Sequence, residues 1–130
     1  MSVIDVRIAK LASERLEWTS VCSLSHLITG RGVAVLRSGE QGALFGLVDG
    51  TLRAVSNFDL YGCAAVISRG LVGDRKGEPI VLSPFLKQAF SLIDGRALDD
   101  ESVSLPVYEV YVWAGVVQVR STGCVVETAS

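Results

Sequence analysis

The feature that most restricts this chain is a rhythm. From about residue 28 onward, short apolar runs alternate with turn-forming dipeptides, and helical periodicity is weak. Runs of that length bounded by Gly and Asp-Gly read as antiparallel strands. Gly32–Arg37 (GVAVLR) and Ala43–Val48 (ALFGLV) flank the polar turn Ser38–Gly42. Asp49-Gly50 separates the second run from Thr51–Ser56, which predicts a type I′ hairpin with both central residues at positive φ. Glu78–Leu82 and Ala89–Leu92 are two more strand candidates, and Asp94-Gly95 marks another turn. The clearest pair comes last. In Val107–Val112, residues Tyr108, Val110 and Val112 share one face, Ala114-Gly115 turns the chain, and Val116–Arg120 returns. Seven or more short strands at this spacing predict an antiparallel all-β domain, a sandwich or a small barrel.

Composition narrows what such a domain can do. The chain has 130 residues, of which 49% are hydrophobic and 20% charged, so it can bury a real core as one domain. A net charge of -2 offers no basic stripe for phosphate backbones, so no nucleic-acid partner is expected. The longest uncharged stretch, Trp18–Gly30, is too short and too polar to span a membrane. Charges at Asp5, Arg7, Lys10, Glu14, Arg15 and Glu17 break any signal-peptide core, which leaves a cytoplasmic location as the expectation. Cys22, Cys63 and Cys124 are far apart and odd in number, so they read as free thiols. With no Cys-x-x-Cys pair and a single histidine, His26, a zinc site is not expected either.

Two longer segments, Asn57–Gly77 and Ser83–Gln88, interrupt the strands, and loops on a rigid scaffold are where function concentrates. From Val55 to Gly95 the chain reads V-S-N-F-D-L-Y-G, then S-R-G-L-V-G-D, then V-L-S-P-F-L-K-Q-A-F-S-L-I-D-G. This resembles the cluster-binding segment of Rieske iron–sulfur domains. Asp59-Leu60-Tyr61 stands where that family has Cys-x-His, and Ser83-Pro84-Phe85-Leu86 where it has Cys-Pro-x-His. A Rieske centre needs two thiolates on one iron and two imidazoles on the other. Asp59, Tyr61, Ser83 and Leu86 supply none of these, so the sequence predicts no [2Fe–2S] cluster.

The combination of a Rieske-like frame with these substitutions is similar to the small subunit of NAD(P)H-dependent assimilatory nitrite reductases. The likeness runs from about Trp18 to Val119 and includes the opening W-T-x-V-C-x-x-x-x-L and the closing V-Y-E-V-Y-V and G-V-V-Q-V. It implies a Rieske-like antiparallel β-sandwich of small sheets over residues 18–120, with an N-terminal extension (1–17) and a C-terminal tail (121–130). It also implies an accessory subunit with no cofactor or catalytic residue of its own. The partner would be a large subunit carrying FAD, an iron–sulfur cluster and sirohaem, which passes electrons from NAD(P)H to nitrite and yields ammonium.

Within the two loops, Tyr61, Phe85 and Leu86 are apolar or amphipathic, and burying each returns about 1.5–3 kcal/mol, enough to hold short loops together without a metal. The competing reading leaves part of this tip exposed to the partner, with Phe85 and Lys87 as the contacts. Asp59 either sits in solvent or pairs with Arg69 or Lys87 to tie one loop to the other. Ser83 has no histidine near it in sequence and no G-x-S-x-G frame, so it is expected to cap loop backbone rather than act as a nucleophile. His26 is expected on a short helical turn. Gly30-Arg31-Gly32 and Gly70-Leu71-Val72-Gly73 lack a following helix and are predicted to be turns, and Asp99-Asp100-Glu101 a solvated acidic run. Rival readings are an electron-carrying Rieske ferredoxin, and a cluster-less module that serves another oxidoreductase or binds a small ligand.

Overall fold

Tight turns explain much of the architecture. In the computed structural model, which describes residues 18–37, 39–84 and 87–121, Lys76-Gly77 and Ala114-Gly115 both have left-handed backbone, with φ of 55° and 85° and of 52° and 79°. These are the paired positive dihedrals of a two-residue type I′ hairpin, whose twist matches that of the strands it joins. Asp49-Gly50 differs from the expectation. Only Gly50 is left-handed, at φ 90°. The Leu47 carbonyl accepts from Gly50 N–H (3.0 Å) and Leu47 N–H donates to the Thr51 carbonyl (2.9 Å), which makes a three-residue loop with a bulge. The Asp49 carboxylate braces it by accepting from Thr51 N–H at 2.9 Å and from the Thr51 hydroxyl at 2.7 Å.

The strands are β1 (Thr19–Ser23), β2 (Gly32–Arg37), β3 (Glu40–Gly46), β4 (Leu52–Ser56), β5 (Phe58–Asp59), β6 (Ala64–Ala65), β7 (Leu71–Arg75), β8 (Glu78–Leu82), β9 (Ala89–Ser91), β10 (Arg96–Ala97), β11 (Asp100–Ser104), β12 (Val107–Trp113) and β13 (Val116–Ser121). Single turns of 3-10 helix lie at Leu24–His26, where His26 is exposed as expected, and at Ile67–Arg69. A six-stranded sheet runs β1-β13-β12-β4-β3-β2, a five-stranded sheet runs β11-β10-β9-β8-β7, and β5 pairs with β6. Every pairing is antiparallel. The architecture is the all-β one of small antiparallel sheets expected from sequence.

Two cores share the strand β3. Ala43 and Phe45 point, with Val55, toward the five-stranded sheet, where they meet Ile67, Val81, Phe90, Leu92 and Leu105. Leu44 points the other way and packs with Val35, Ala54, Val117 and Val119. That second core exists because the larger sheet curls until β1 touches β2. A strand buried on both faces carries an unbroken apolar run instead of an alternating one, which is how ALF reads.

Several boundaries depart from the sequence reading. Glu40–Gly42, expected in a polar turn, opens β3. Leu71–Gly73, expected in a turn, belongs to β7, an edge strand whose exposed residues lack the alternation that marks a half-buried one. Asp100 opens β11 and accepts hydrogen bonds, so the acidic run is not simply solvated. Cys22 and Cys63 are unbridged. The segments 1–17 and 122–130, with Cys124, lie outside the described residues, as do Phe85 and Leu86. Among the described residues no helix is long and apolar enough to cross a membrane.

Candidate functional site

The loop after β5 folds around one carboxylate. Asp59 is fully buried, and its Oδ1 accepts from Tyr61 N–H at 2.8 Å and Gly62 N–H at 3.2 Å. An aspartate satisfying amides two and three residues on is the usual device for a tight loop. Its backbone carbonyl accepts from Cys63 N–H at 2.7 Å. Asn57 closes the base of the same loop. Its side chain donates to Gln41 Oε1 (3.0 Å) and accepts from Ser68 N–H (2.6 Å), while its carbonyl accepts from Ile67 N–H (3.1 Å). The second loop is closed by Ser83 N–H donating to the Gln88 carbonyl at 2.9 Å.

One buried hydrogen bond joins the two loops: the Ser83 hydroxyl donates to Asp59 Oδ2. Asp59 is neither in solvent nor paired with Arg69 or Lys87, the two readings offered by the sequence; among the described residues the tie between the loops runs instead through Ser83. A carboxylate enclosed this way, with three donors converging on it, needs no countercharge. Ser83, expected as a cap for loop backbone, also reaches across to the first loop. Its hydroxyl serves the facing loop.

Tyr61 anchors the first loop from its other side. Its ring lies 6.0 Å from that of Phe90, and its hydroxyl donates to Asp100 Oδ2 at 3.0 Å. Burial and that bond hold the phenol protonated, above its usual range. Asp100 is held below the usual carboxylate range by Ser102 first and by Tyr61 as well. These contacts of Tyr61 fasten the loop to β9 and β11. Lys87 is exposed, with left-handed backbone at φ 55°. Gly70 permits the close approach of this region to β8, because a Cβ there would lie 2.3 Å from the Leu82 carbonyl oxygen.

The donor set at the tip does not suit an iron–sulfur cluster. The two positions that would carry thiolates hold Asp59 and Ser83, bonded to each other, and Tyr61 is committed to Asp100. Among the described residues no three or more His, Cys, Asp or Glu side chains are placed to hold a metal ion. From sequence Asn57 stands only as the first residue of N-x-D-x-Y, with no role of its own predicted. Its place two residues before Asp59, at the end of a strand, was the available signal.

Comparison with known proteins decides the affiliation. The model of the Rieske-like [2Fe-2S] domain family matches residues 17–120. The chain belongs to that family. Within it, this Rieske-like chain is 40% identical over 105 residues to the nitrite reductase (NADH) small subunit of Salmonella typhimurium, covering 80% of this chain and 97% of that protein. A Mycobacterium tuberculosis crystal structure assigned as an NADH-dependent nitrite reductase small subunit superposes with a TM-score of 0.76 at 55% identity, covering 79% of this chain and 93% of the other. A third similarity has a different form. The nitrite reductase [NAD(P)H] large subunit of Klebsiella oxytoca is 37% identical over 102 residues, which are 78% of this chain and 11% of that protein. In that organism a segment like the Rieske-like chain described here is part of the large-subunit polypeptide.

Proposed function

We infer that this chain is the accessory small subunit of an NAD(P)H-dependent nitrite reductase and acts by binding the large subunit. The observation that carries this is the likeness to a curated small subunit along 97% of that protein's length. The tip chemistry supports a binding role, since Asp59 and Ser83 occupy each other instead of a cluster. The segment joined to a large subunit in Klebsiella oxytoca supports the same partner.

FAD, the iron–sulfur cluster and sirohaem belong, in this reading, to the large subunit, and the complex works in the cytoplasm. Residues 18–120 form the binding module, and the tip loop around Phe85 and Lys87 meets the partner. A stable contact of this kind buries about 1,200–2,000 Å² in total, which a domain of this size can supply.

The test is nitrite reduction by the matching large subunit, purified with and without this chain, with co-elution scored in the same preparations. The expected result is co-elution together with a higher rate or better retention of redox groups. No co-elution and no change in rate would return the chain to the alternative, a module serving another oxidoreductase or a small ligand.

A further inference from the structure

Beside the Asp59–Ser83 bond lies a cleft of about 180 Å³ bounded by Arg69, Leu71, Leu82, Ser83, Pro84 and Lys87. Two cations at one small cleft repel each other unless a carboxylate lies between them. Among the described residues neither Arg69 nor Lys87 has a hydrogen bond or ion pair from its side chain. Arg75, Arg96 and Arg120 are by contrast matched within the chain, with Asp99, with Glu78 and Asp94, and with Glu109. Asp59, bonded to the cleft residue Ser83, is fully buried and accepts from three donors of its own. Leu71 adds an apolar wall that is 70% exposed, on the edge strand β7.

We propose that Arg69 and Lys87 form a two-cation clamp that receives a carboxylate side chain of the large subunit, presented beside an apolar residue that covers Leu71. The clamp rests on the small-subunit reading above and gives that interface its charge complementarity. Arginine supplies the planar fork that carboxylates take in pairs of hydrogen bonds, and lysine a point charge alongside. Such a contact orients the two subunits and speeds their encounter.

The test measures affinity of the purified large subunit for the full chain, comparing the unaltered protein with the double variant R69E/K87E. Affinity is expected to fall by at least about tenfold, because like charges then face one another across the interface. The unaltered pair is expected to weaken as ionic strength rises from about 0.05 to about 0.5 M, and the double variant to weaken far less. Lys76→Glu, a single charge reversal at the far end of the β7–β8 hairpin, is the remote-charge control and should bind as the unaltered chain does. Melting temperature is recorded for each variant, and R69Q/K87Q replaces the reversal if that double variant melts early. If the unaltered chain binds and both double variants bind equally well, the clamp is overturned while the small-subunit reading stands. The same holds if the cleft takes up inorganic nitrite alone and partner affinity ignores the charge changes. If the unaltered chain does not bind the large subunit at all, both fall.

Discussion

Asp59 carries more of this loop tip than any other side chain. It accepts from two backbone N–H groups in part-buried bonds and from the hydroxyl of Ser83, which is buried with it. Removing one partner of a buried hydrogen bond leaves the other desolvated and unpaired, at about 1–3 kcal/mol each. Asp59→Ala is therefore expected to lower the free energy of unfolding by about 2–4 kcal/mol, allowing for local relaxation. Asp59→Asn keeps an acceptor for the amides and should lose only about 1 kcal/mol. Urea denaturation of the two variants checks this, and equal losses would mean that charge, not acceptor geometry, holds the loop. The residue types at the degenerate cluster positions were legible in the sequence. That two of them bond to each other was not, because 24 residues separate Asp59 from Ser83 and either side chain has many acceptable partners.

Among the elements, the β12–β13 hairpin and the β8–β9–β10 ladder make separate predictions. Ala114 sits in the left-handed region at φ 52°, where a Cβ costs about 1–2 kcal/mol and asparagine less. Ala114→Asn is expected to raise stability by about 0.5–1 kcal/mol, read as a higher melting temperature. In the ladder, Arg96 on β10 reaches across β9 to Glu78 on β8 with two hydrogen bonds of 2.8 Å, and the Ser91 hydroxyl donates to the same carboxylate at 2.6 Å. The Arg96 guanidinium, and Ser91 after it, hold Glu78 below its ordinary value of 4.5. A carboxyl depressed in the folded state adds stability above that ordinary value and loses it as pH falls through the depressed one. Stability is thus expected to decline with acidification below about pH 4.5, and Arg96→Gln to flatten that decline. Melting curves collected from pH 7 to about pH 3 would show it, and parallel profiles would remove the pair from the account.

Across the whole molecule, the two cores depend on the curl of one sheet and on its packing against the other. Phe90 is fully buried at that packing and also supports Tyr61 at the loop tip. Phe90→Ala is expected to cost about 3–5 kcal/mol through the cavity it opens. Because Tyr61 would lose its neighbour, the variant should also weaken binding of the large subunit at temperatures well below its melting point. Unchanged affinity in a folded Phe90→Ala protein would show that the loop tip is held without the core beneath it.

What the residues determined alone is local: where apolar runs begin, which dipeptides can turn, and which metal-ligating groups are missing. β2 and β8 coincide with the runs Gly32–Arg37 and Glu78–Leu82 because period and turn chemistry act over a few neighbours. β7, β10 and β11 escaped notice because their residues become strands only by pairing with β8, β9 and each other. The exposed edge β7 buries too little to show a pattern. Tertiary structure likewise chose Ser83 over Arg69 and Lys87 as the partner of Asp59. Burial favours a short hydroxyl that can be enclosed with the carboxylate, whereas long cations keep their charge in water. That choice leaves Arg69 and Lys87 together at one open cleft, a juxtaposition that only the folded chain creates.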